Sequence, residues 1–209
     1  MRRVILAFSS LLGLVATSYA DEIDVGADLP ALFDVAGVAD PDVLNVRAEP
    51  DAAADIVGTL ENDAERVEVV DLSEDSRWGL VNVAEASGYV AMRYLEPREI
   101  DAGPEGLPSK LACFGTEPFW SLSVDEADVT LSTPESGERV LSLDKVLRVI
   151  NVPQPNHVLF AELDEARYTA VIDRAECSDG MSDRRYGLAI TFIEDSKSAW
   201  AAGGCCSLR

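Results

Sequence analysis

Four cysteines and one histidine set the limits of the chemistry this 209-residue chain could carry out. Cys113, Cys177, Cys205 and Cys206 all lie in its second half. The adjacent thiols at 205 and 206 resemble soft-metal ligands, but neither C-x-x-C spacing nor a nearby His accompanies them, so no metal is expected. Ser142-Leu143-Asp144-Lys145 matches S-x-x-K by spacing, yet it sits in a strand-like run without K-T-G or S-D-N. His157 follows Pro153 to Asn156 at an apparent hairpin tip, where a solvated imidazole is expected rather than the base of a nucleophile. With no P-loop, dinucleotide fingerprint or EF-hand spacing, no cofactor and no catalytic residues are expected.

The first twenty residues read as an address. Arg2 and Arg3 precede the apolar stretch Val4 to Ala16, and Ser18-Tyr19-Ala20 ends in small residues at the positions a signal peptidase reads. This predicts a signal peptide over 1–20 and a mature protein in the periplasm or outside the cell. No apolar run reaches the roughly 18 residues of a membrane span, so no integral membrane segment is expected after cleavage. Lys plus Arg total 17 against 38 for Asp plus Glu, a formal charge of −21. Such a chain repels nucleic acid, which is excluded as a general partner. In an oxidising compartment an even set of cysteines means disulfides. A vicinal 205–206 bond is strained, so Cys113 and Cys177 are each expected to bond one of the terminal pair, with the choice open.

Composition divides the mature chain into a cysteine-free region at 31–97, a linker at 98–110 rich in Pro and Gly, and a disulfide-stapled β-domain at 111–209. In the first region Leu44–Arg47, Ile56–Leu60 and Arg66–Val70 are short runs of strand character, broken by Ala48-Glu49-Pro50-Asp51. Trp78–Val83 and Ser87–Ala91 form another pair, and Tyr94-Leu95 closes the run. Strands this short with frequent turns argue a small β-barrel. The sequence of Leu44-Asn45-Val46-Arg47 with Pro50, Ile56-Val57-Gly58-Thr59-Leu60, Val67-Glu68-Val69, Trp78, Gly88-Tyr89-Val90 and Tyr94-Leu95 resembles the bacterial SH3 domain over 36–97. Tyr89 departs from that family, which usually has Trp after this Gly.

The resemblance implies binding of cell-wall peptides or protein partners. Trp78, Tyr89 and Tyr94 are the candidate ligand-contacting aromatics, since rings supply contact area at low entropic cost. Asn45 and Arg47 are candidate specificity residues.

The second domain also reads as strand. Trp120–Val124, Val140–Leu143, Val146–Val152, Val158–Leu163, Tyr168–Ile172 and Tyr186–Ile193 alternate or run apolar, and Trp200 begins a final short segment. The expected fold class is therefore all-β: a small SH3-like barrel linked to a second antiparallel β-barrel or sandwich, each with its own core. Cys113–Ser121, Cys177–Tyr186 and Gly204-Cys205-Cys206 resemble an uncharacterised bacterial envelope family carrying G-x-E-P-F-W-S, C-S-D-G-M-S-D-R-x-Y and G-C-C. Asp179-Gly180 is a turn dipeptide. The loop around it reads either as an Ω-like loop tied to neighbouring turns or as a binding loop. In the second reading Glu117 or Asp183 pairs with Arg184 beside Trp120 and Met181, and these residues with Asp179 are the candidate contacts.

These features point to an exported, non-enzymatic binding protein whose SH3-like module recognises a cell-wall peptide or an envelope protein. Two other readings stand beside it. One is an envelope enzyme using thiol–disulfide or wall-hydrolase chemistry. The other is an inhibitor or assembly partner of a basic envelope protein, met by the acidic surface.

Overall fold

β-Branched residues and short alternating runs leave little for helices to use, and the described residues fold mostly into strands. The computed structural model describes residues 29–152, 154 and 156–209. The signal-peptide reading at 1–20 lies outside the described residues. No helix among the described residues is long and apolar enough to cross a membrane.

The N-terminal unit contains β1 (Ala31–Val35), β2 (Val43–Arg47), β3 (Ile56–Glu61), β4 (Val67–Val69), β5 (Asp71–Leu72), β6 (Trp78–Val83), β7 (Ala86–Ala91) and β8 (Leu95–Arg98). They form a three-stranded sheet in the order β4-β1-β8 and a five-stranded sheet in the order β3-β2-β7-β6-β5. Period-two alternation turns Leu44 and Val46 inward, where they meet Phe33, Val69, Val81 and Val90. Gly88 lets β7 approach β2, since a Cβ there would sit 2.7 Å from the Arg47 carbonyl oxygen.

The C-terminal unit is a closed barrel of eight antiparallel strands. These are β9 (Lys110–Thr116), β10 (Phe119–Asp125), β11 (Asp128–Thr133), β12 (Gly137–Arg148), β13 (His157–Leu163), β14 (Ala166–Cys177), β15 (Tyr186–Asp195) and β16 (Trp200–Leu208). Each strand pairs with the next, and β16 returns to β9 to close the ring. Along β10 the buried positions Trp120, Leu122 and Val124 alternate with exposed Phe119, Ser121, Ser123 and Asp125. The apolar side therefore faces inward and fills the barrel, the reverse of a transmembrane barrel's polarity.

Two disulfides staple this unit. Cys113–Cys206 joins register partners on β9 and β16, at the seam where the barrel closes, and Cys177–Cys205 ties the end of β14 to β16. Each of the first two cysteines thus bonds one of the terminal pair. No cysteine among the described residues is free.

Several local readings change. Val140–Leu143 and Val146–Val152 were expected as two strands, but a bulge between Leu143 and Lys145 keeps β12 continuous, and 149–152 lie beyond it. His157 is not solvated at a hairpin tip. It opens β13 at 5% exposure, with Nε2 3.1 Å from the Glu105 carbonyl oxygen, and burial holds its pKa below the usual histidine range. The 98–110 segment is packed, with Leu107 1% exposed in the barrel core and Ile100 against it. The two cores are distinct clusters, yet β1 serves both: Phe33 and Val35 point into the SH3-like core and Leu32 into the barrel's.

Candidate binding site and the junction that orients it

Alternation along β2 buries Leu44 and Val46 and turns Asn45 and Arg47 to the other face. Trp78 opens β6 opposite Ala91 on β7, and β7 runs into a 3-10 turn over Met92–Tyr94. These elements bring Asn45, Arg47, Trp78 and Tyr94 to one cavity of about 390 Å³, together with Asp42 and Arg93. Arg47 is held by an Nη1 donation to the Ala54 carbonyl at 2.7 Å. The Arg93 guanidinium lies 4.6 Å from the centre of the Tyr94 ring, with Nη2 3.5 Å from its hydroxyl. Sequence reasoning missed Arg93, although a cation directly before an aromatic in Met92-Arg93-Tyr94 was a readable signal.

Tyr89 is not part of that group. It pairs with Arg47 across β2 and β7, but it lines a second cavity of about 570 Å³ between the two units, with Tyr186, Arg174 and Arg185. The five candidates of the SH3-like module are thus split four and one.

The candidates of the C-terminal domain are spread over three settings. Trp120 is 4% exposed inside the barrel, with ring centres 5.3 Å from Phe192 and 6.4 Å from Trp200. Glu117 is exposed at the β9–β10 turn, and Met181 is 69% exposed at the loop tip. Asp179 organises its own loop. It accepts the N–H groups of Met181 and Ser182, both at 2.9 Å, and the Ser182 hydroxyl at 2.7 Å. Burial pushes its carboxyl up, but these donors outweigh burial and hold it below the usual range. Arg184 lies 5.5 Å from the centre of the Tyr186 ring. Among the described residues it forms no ion pair with Glu117 or Asp183, so the pairing that the binding-loop reading calls for is absent there.

Residues 183–185 instead hold the two units together. Asp183 N–H donates to the Glu85 carbonyl at 2.9 Å, and the Ser87 hydroxyl donates to the Asp183 carbonyl at 3.0 Å. Asn82 donates its side-chain amide to the Arg185 carbonyl at 2.8 Å and accepts the Arg185 N–H at 3.1 Å. The segment thereby runs beside the β6–β7 hairpin, with Ala86 and Asp183 in an isolated parallel bridge. On β4, Glu68 accepts the Leu208 N–H at 3.0 Å. Burial at this contact pushes the Glu68 carboxyl up to about 7, against the lowering effects of that N–H and of Arg184.

Residues 42–96 match the bacterial SH3 domain. The matched stretch spans β2 through the first residues of β8, while β1 pairs with β4 and β8 from outside the matched range. No curated protein matches the chain, and no solved structure does. The motif resemblance read over residues 111–206 gains no support from these comparisons.

Proposed function

We propose that this protein is an exported, non-enzymatic binding protein whose bacterial SH3 domain holds a short cell-wall peptide in the Trp78–Tyr94 cavity. One observation carries the reading: four separately placed side chains of that domain, Asn45, Arg47, Trp78 and Tyr94, converge on one concave surface. A hollow with two aromatic walls and a few fixed polar groups is the architecture of a small-ligand site. The disulfides and the family match support an extracytoplasmic setting. The disulfide-bonded state of all four cysteines weighs against the thiol–disulfide alternative.

The test is co-sedimentation of the full mature chain with purified peptidoglycan at moderate salt. Retention that falls at least tenfold in Tyr94→Ala and persists in Tyr89→Ala supports this assignment. Absence of retention in the unaltered protein, or equal loss in both variants, contradicts it.

A further inference from the structure

The geometry points to the terminal carboxylate of a short peptide as the group this cavity recognises, with Arg93 as the residue that reads it. The inference rests on the reading above and deepens it. The whole chain carries −21, yet the charged residues lining the cavity are Arg47 and Arg93 against Asp42 alone. The local sign is therefore opposite to that of the molecule. Among the described residues neither guanidinium is ion-paired with a carboxylate, although acidic residues outnumber basic ones by more than two to one.

The two arginines are not equivalent. Arg47 spends a donor on the Ala54 carbonyl and so frames the cavity floor. Arg93 is exposed and stacked on Tyr94, a contact that orients a planar guanidinium while leaving its N–H edge free of any carboxylate. An oriented guanidinium edge matches a carboxylate through two parallel hydrogen bonds, which a lysine cannot reproduce. Trp78 and Tyr94 then provide walls for the adjoining residues of the peptide. At about 390 Å³ the cavity is near the small end of ligand sites and suits a chain end better than a folded surface. A negative surface elsewhere disfavours the same peptide, so the arrangement localises an anionic ligand to one place.

The experiment is an NMR titration of the full mature chain with N-acetyl-trialanine carrying a free C-terminus, and separately with its C-terminal amide. The Trp78 indole N–H and the Tyr94 resonances are followed. The expected result is saturable shifts at both residues, with the acid binding at least tenfold more tightly than the amide. Arg93→Gln is expected to bring the two within twofold of each other, and Arg93→Lys to recover only part of the preference. Arg93 is exposed, so these variants are expected to fold, and unchanged amide spectra away from the cavity verify it.

Equal affinity for acid and amide with shifts at Trp78 and Tyr94 overturns the carboxylate inference and leaves the binding-site reading standing. A preference that survives Arg93→Gln overturns the role of Arg93. Shifts with neither peptide overturn the inference. If retention on peptidoglycan is also absent, the proposed function falls with it.

Discussion

The side-chain amide of Asn82 pairs with both backbone groups of Arg185, donating to its carbonyl at 2.8 Å and accepting its N–H at 3.1 Å. One residue on the β6–β7 hairpin thus substitutes for a strand edge and holds the loop that follows β14. The loop singled out by its motif, C-S-D-G-M-S-D-R, is in this structure a clasp. Asp179 shapes it, Cys177 anchors one end, and Asp183 to Arg185 grip the SH3 domain.

Asn82→Ala removes both hydrogen bonds at the clasp. The expected loss is about 1 kcal/mol, the net cost of unmaking two solvent-exposed pairings. Limited proteolysis is expected to cut faster within 178–185 and in the 98–110 segment. An unchanged cleavage rate would contradict a holding role for this pair.

Glu68 makes the junction sensitive to pH. Its carboxyl has a higher pKa when packed, about 7 against 4.5, so the folded state holds the proton more tightly than the unfolded one. Stability from this group is therefore full below about pH 4.5 and falls as pH rises towards 7. The amplitude is on the order of 3 kcal/mol. Glu68→Gln keeps an acceptor for Leu208 and removes the titration. The Tm difference between Glu68→Gln and the unaltered protein is expected to grow in favour of the variant from pH 5 to pH 8. A difference that does not change across this range contradicts the assignment.

Most of the SH3 domain was legible because its strands are half-buried, and period-two alternation marks such strands directly. Val46, Val81 and Val90 appear in the core as the pattern implies. β1 escaped notice because its central residues Leu32 and Phe33 are both buried, one in each core, and a strand covered on two faces does not alternate. In the barrel, β9 was masked by small residues. Gly115 in it is required by packing, since a Cβ there would lie 2.2 Å from the Trp120 indole nitrogen. The candidate site was half legible: aromatic and polar types marked Asn45, Arg47, Trp78 and Tyr94, which line one cavity. Nothing in a linear sequence shows which face of the domain a partner unit covers, and so Tyr89 was grouped with them.

Gly115→Ala tests that close packing. The new methyl meets Trp120 and the Gly203 carbonyl oxygen, a backbone atom 2.9 Å away that cannot swing aside. A loss of about 1–3 kcal/mol is expected from overpacking, read as a lower urea midpoint. A midpoint equal to that of the unaltered protein would show that the barrel interior yields more readily than its packing implies.

The two disulfides differ in the span they close, 93 residues for Cys113–Cys206 and 28 for Cys177–Cys205. Replacing the first pair by serines is expected to cost about 4–5 kcal/mol and the second about 3–4 kcal/mol in the chain-entropy account. Urea denaturation of both double variants checks the order. The opposite ranking would show that local packing, not loop closure, dominates their effect.

The most direct measurement follows the three tryptophan indole N–H resonances of the full chain as soluble peptidoglycan fragments are added. Trp78 lines the cavity, whereas Trp120 and Trp200 belong to the barrel. The account predicts a saturable shift of the Trp78 signal, abolished by Tyr94→Ala, with the other two unmoved. Fragments that move only Trp120 or Trp200, or none of the three, would contradict it.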